Sequence, residues 1–135
     1  MSAMPEIRFF FDPAAGPDCF DKLPEALLGS SYSVSYLPMA IGAESLLLRK
    51  AWAAAASGKT PNRYQLAQIF SGIETLQQDP QGEAVSLAIA QTAASALALG
   101  LSELPAFDLE GQLMQGEGAL LRLALLLKAD AAGIF

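Results

Sequence analysis

Histidine is absent from this chain of 135 residues, and cysteine occurs once, at Cys19. The first absence removes His-based triads, His metal sites and the commonest general base at neutral pH. The second removes any internal disulfide and any zinc cage, so metal chemistry could come only from carboxylates. Neither carboxylate pairs at metal-ligand spacing nor a phosphate-cradling G-x-x-x-x-G-K-[ST] loop is present. No metal and no cofactor is therefore expected. Positive charge is also scarce: eight Lys and Arg stand against fourteen Asp and Glu, for a net charge of -6. The basic residues are scattered, with only Arg49 and Lys50 adjacent, whereas phosphate binding needs a clustered positive field. Neither nucleic acid nor an anionic membrane is expected as a partner.

What is abundant is apolar surface. Hydrophobic residues make up 53% of the chain and charged residues 16%, a balance that offsets chain entropy and predicts a well-packed core. The length suits one domain, 1–135. Met1 to Glu6 runs straight into an apolar strand pattern, without the basic and long apolar regions of a secretory signal. As it stands the chain reads as cytoplasmic, or as periplasmic if a signal was removed. The uncharged stretch Ala84 to Leu101 is rich in Ala and carries Ser86, Gln91, Thr92 and Ser95. Alanine favours lipid weakly, so a buried amphipathic helix is expected there rather than a membrane span.

Local patterning predicts the order of elements. Ile7 to Phe11 is a nearly unbroken apolar run, the signature of a strand buried on both faces, and Asp12-Pro13 ends it. A loop over Ala14 to Asp18 leads into a helix from Cys19 to Leu28, with Phe20, Leu23, Leu27 and Leu28 at helical spacing and Gly29 as its cap. Tyr32 to Leu37 alternates as a second strand, stopped by Pro38. Three helices follow: Glu44 to Ala56, with Leu46, Leu47, Ala51 and Ala54 on one face; one opened by Thr60-Pro61 and ending near Phe70; and one opened by Asp79-Pro80, from about Gln81 to Leu99. Ala106 to Leu109 and Gln112 to Met114 flank Glu110-Gly111 as a hairpin, and Glu117 to Lys128 is a strongly apolar last helix. The order is βαβ, a helical insertion over about 43–99, then ββα.

Several stretches resemble the thioredoxin-fold catalytic domain of bacterial Dsb-type disulfide isomerases and oxidoreductases. Phe9-Phe10-Phe11-Asp12-Pro13 with Gly16-Pro17-Asp18-Cys19 is similar to that family's strand and Cys-x-x-Cys loop. Tyr36 to Ala40 is similar to its second strand and exit, and Ala98 to Phe107 to the approach to its cis-proline loop. The resemblance covers Ile7 to Leu127 and implies an α/β thioredoxin-like fold with a central mixed sheet, without the N-terminal dimerisation domain of the isomerase branch. It implies that Pro105 is the cis-proline, shaping with Gly16, Pro17, Asp18 and Leu104 a groove for an extended peptide. Leu104 stands where the family often has threonine or valine, so the groove floor should favour apolar partners.

The departure from the family is as informative. Gly16, or Ala15 if the loop is shifted by one, occupies the place of the nucleophilic first cysteine, and Cys19 matches only the resolving one. Dithiol exchange needs a low-pKa thiolate and a second thiol to resolve the mixed disulfide, and the second thiol is missing. Three readings follow: a redox-silent domain that binds a protein or peptide, with a homodimer as one form; a monothiol enzyme in which Cys19 exchanges with glutathione; and a glutathione-transferase-like or isomerase-like enzyme, for which the helical insertion is short. Asp18 and Asp21 oppose a thiolate at Cys19, and favour an inert thiol. Asp12 and Asp108 form either a carboxylate site or, as expected here, a turn cap and a solvated strand face. Trp52, Tyr32, Tyr36 and Tyr64 are expected to pack in the core rather than to stack on a ligand. The leucines of the last helix, from Leu120 to Leu127, exceed what one face buries, so an interface there stands level with a core role.

Overall fold

Alternation sets the first strand, β1 (Glu6–Phe11). Ile7, Phe9 and Phe11 point to one side of the sheet, and Glu6, Arg8 and Phe10 to the other. The computed structural model describes residues 6–28 and 31–131. In it β1 is central: β2 (Ser33–Pro38) pairs with it in parallel and β3 (Ala106–Leu109) antiparallel, while β4 (Gln112–Gln115) pairs antiparallel with β3. The resulting mixed sheet has the order β2-β1-β3-β4. Ile7, Phe9 and Phe10 are fully buried, as a strand covered on both faces requires.

On the first face Phe9 stacks between Phe11 and Phe107, each with ring centroids 4.7 Å away. Helices α1 (Asp18–Ala26) and α5 (Ala119–Ala131) cover this layer with Phe20, Leu23, Leu123 and Leu127. Each such side chain contributes roughly 1.5–3 kcal/mol by leaving water. Between β2 and β3 run α2 (Leu46–Ala53), α3 (Arg63–Phe70) and α4 (Glu83–Ala98). Helices α2 and α4 form the second layer, where Leu48, Trp52 and Ala53 meet Val85 and Ile89. The Trp52 indole N–H donates to the Pro38 carbonyl at 2.8 Å and so ties α2 to the end of β2.

The expected elements are present, with differences at their ends. Helix α2 begins at Leu46 rather than Glu44 because Ser45 caps it, its hydroxyl accepting the Leu48 N–H; Leu48, Ala51 and Trp52 face inward and Leu46 outward. Helix α3 starts after Asn62, which forms a reciprocal capping box with Gln65, rather than at Thr60-Pro61. Asp79 folds a local turn by accepting from the Gln81 N–H, which delays α4 to Glu83. Within the expected loop, Pro13–Ala15 forms a 3₁₀ turn. Gly29, the expected cap of α1, lies outside the described residues.

Helix α4 buries a single stripe, Val85, Ile89, Thr92 and Ala96, and leaves Leu87 and Leu97 exposed. Among the described residues no helix is long and apolar enough to cross a membrane. Helix α5 buries Leu123 and Leu127, and Leu121 and Leu125 face solvent.

Candidate functional site

The loop after β1 is built by its own backbone. Asp12 takes the capping role read from the sequence: its carboxylate accepts the Ala14 N–H at 2.9 Å. The Asp12 and Pro13 carbonyls accept from Ala15 and Gly16, at 3.0 and 3.2 Å. The chain then turns at Gly16 with φ +100, a conformation L side chains rarely adopt. Pro17 stands at the N-cap of α1 without a side-chain cap, and its carbonyl accepts the Asp21 N–H at 2.7 Å.

Cys19 is therefore in the first turn of α1, partly buried against the aromatic layer. The helix terminus favours a thiolate there. Burial outweighs it and, with the Asp18 carboxylate, pushes the thiol from an ordinary 9.0 up to about 11; Lys22 offsets this in part. The thiol is protonated at neutral pH.

The opposite wall comes from the segment before β3. The Leu104–Pro105 peptide bond is cis. Gln115 on β4 holds the approach: its side-chain carbonyl accepts the Ser102 N–H at 2.8 Å and the Glu103 N–H at 3.1 Å. The Pro105 carbonyl accepts the Gly116 N–H at 2.9 Å. Between these two anchors, the backbone N–H and C=O of Leu104 have no hydrogen-bond partner among the described residues.

A cavity of about 230 Å³ joins the two walls. Gly16, Asp18, Cys19, Leu104 and Pro105 line it, with Phe9, Phe11 and Phe20 behind them. Of the residues singled out from the sequence, only Pro17 is outside the lining, and acts instead at the helix start. Among the described residues no group of three or more His, Cys, Asp or Glu could hold a metal ion.

Two expectations are corrected. Asp108 is on no solvated face: it is 4% exposed and bound to Arg8 on the neighbouring strand, away from Asp12. Of the aromatic residues expected in the core, Tyr36 and Trp52 are buried on the two sides of the sheet and Tyr32 packs partly buried against the first, but Tyr64 is 71% exposed. The sequence reading also missed Arg63. Its guanidinium is 4.0 Å from the Phe20 ring centroid and donates to the Tyr36 hydroxyl at 3.3 Å, bracing the back of the cavity from α3. No local pattern marks that residue.

A parallel βαβ unit, an antiparallel hairpin and a closing helix, with a cis-proline segment across from the first helix, define a thioredoxin-like domain. Solved structures agree. A thioredoxin-like oxidoreductase from Silicibacter pomeroyi aligns over 97% of this chain and 87% of its own, with TM-score 0.59 and 22% identity. A linker-deletion mutant of Proteus mirabilis ScsC aligns over 98% of this chain and 72% of its own, with TM-score 0.65 and 13% identity. At these identities the likeness establishes the fold. No family model matches the sequence, and neither does any curated protein.

Proposed function

We propose that this chain is a redox-silent, Dsb-like domain that binds an extended, apolar peptide or protein segment in the cavity between the Gly16–Cys19 loop and Leu104–Pro105. The carrying observation is that cavity, with an aromatic and aliphatic lining and an unpaired backbone donor and acceptor at Leu104 on its edge. An extended segment pairing with Leu104 satisfies both groups, and its side chains enter the apolar lining, the mode by which strands add to exposed backbone edges.

Two further observations support silence. The position resembling the first cysteine is Gly16, in a backbone conformation that a side chain adopts only with strain. At pH 7 a thiol whose pKa is about 11 is ionised in about one molecule in ten thousand. The monothiol alternative rests on Cys19 lining the same cavity, and that low thiolate fraction weighs against it.

Selection from a random peptide library on immobilised protein tests the proposal. Apolar extended sequences should be enriched by the wild type and by Cys19→Ser, and lost with Leu104→Asp. Equal enrichment on Leu104→Asp overturns the binding site. A mixed disulfide formed from glutathione disulfide at neutral pH, with release of one glutathione and abolished by Cys19→Ser, overturns redox silence.

A further inference from the structure

A second and larger cavity, about 400 Å³, lies on the opposite face of the sheet and shares no lining residue with the first. Strand alternation puts Glu6 and Arg8 there, with Ser35 beside Arg8 in register on β2. Helix α4 forms the far wall, and residues 57–60 close one end.

Several of its polar side chains are able to donate and have no partner among the described residues. Thr92 is 6% exposed, and its hydroxyl has no hydrogen-bond partner among the described residues; the cavity is where it opens. Ser35, Gln91, Ser95 and Lys59 also line the space, with side chains unpaired among the described residues. Arg8 uses Nε and Nη2 on Asp108, and its Nη1 has no partner among the described residues. The remaining wall is apolar, formed by Leu37, Trp52 and Ala88. A pocket of this size, with unpaired polar groups beside an apolar wall, has the make-up of a small-molecule site.

We infer that this cavity binds a small molecule with one carboxylate and a compact apolar body. The free donors of Arg8, Thr92, Ser35 and Lys59 match an acceptor-only group, and the wall beside Trp52 matches the apolar part. Glu6 in the lining and Asp108 behind Arg8 balance the two positive charges of Arg8 and Lys59, so the site holds no surplus charge for phosphate or a polycarboxylate, and the unpaired donors suit a single carboxylate.

Isocaproate, the neutral isocaproamide and L-leucine, each titrated into the full chain, test this. Trp52, the only tryptophan, reports through its fluorescence, and amide NMR shifts locate the ligand. Isocaproate should saturate, with shifts at Ser35, Gln91 and Thr92 and none at Gly16 or Cys19. The amide should bind about tenfold more weakly, the worth of a charge-assisted hydrogen bond. Thr92→Val and Lys59→Gln should each weaken isocaproate severalfold while leaving the unfolding transition in place. Leucine binding more tightly than isocaproate assigns its ammonium to Glu6 and the natural ligand to amino acids; weaker binding assigns it to simple acids. No saturation up to tens of millimolar, equal binding of the amide, or affinity unmoved by Thr92→Val overturns the inference.

Discussion

Arg8 and Asp108, a hundred residues apart, are joined across β1 and β3 by a contact of 2.8 Å between Nη2 and Oδ2. The other Asp108 oxygen accepts the Gly111 N–H at 3.0 Å, so one carboxylate fastens both the sheet and its hairpin turn. Asp108→Ala should destabilise the domain by about 3 kcal/mol, since it strands a half-buried guanidinium and orphans a turn N–H. Joint replacement of Arg8 and Asp108 by leucine should cost less than the single change. Urea unfolding of the three proteins measures both, and a single mutant as stable as wild type refutes the role.

Cys19 carries a pH signature of opposite sign to that of a paired carboxylate. The folded thiol titrates near 11, against 9.0 without burial, so between these values the native state holds a proton that the unfolded state has released. The contribution of this thiol to stability is therefore fully present below about pH 9 and is lost as pH rises through 11. Denaturant midpoints across this range should fall more steeply for the wild type than for Cys19→Ala. Alkylation of the native thiol should be slow at pH 7 and speed up about tenfold per pH unit toward that value.

Gln115 is the brace of the Leu104–Pro105 wall, receiving two backbone N–H groups on one side-chain oxygen. Gln115→Leu should cost about 1–2 kcal/mol and weaken peptide capture. Gln115→Glu keeps an acceptor and should retain more of both. Thermal unfolding with a peptide titration checks this, and equal losses for the two variants count against a bracing role.

Gly116 follows directly, with φ +78, and a Cβ there would collide with the Glu103 carboxylate. Gly116→Ala should destabilise by about 1–2 kcal/mol through its left-handed backbone. The Glu103 side chain is flexible at its far end, so adding Glu103→Ala should recover only a small part. Full recovery in the double mutant, by unfolding equilibria, would place the cost in the clash instead of the backbone.

The local parts of this protein were legible in its residues. Alternation at Ile7 to Phe11, helical spacing from Phe20 to Leu27, the proline stops and the Glu110-Gly111 turn led to the observed element order, because periods of two and 3.6 are properties of short segments. Helix starts are less legible, since a capping side chain such as Ser45 or Asn62 overrides the nearest proline or acidic residue.

The sequence by itself determined what chemistry is excluded: without histidine, and with one cysteine, neither a His-based site nor an internal dithiol can be assembled. It also determined the layout of strands and helices through their periodicity. Only the tertiary structure decided that Asp108 faces Arg8 rather than water, that the Cys19 thiol is desolvated, and that Thr92 opens into a cavity beneath α4. Partnership and solvation depend on which distant segments pack together, and no local pattern carries that information.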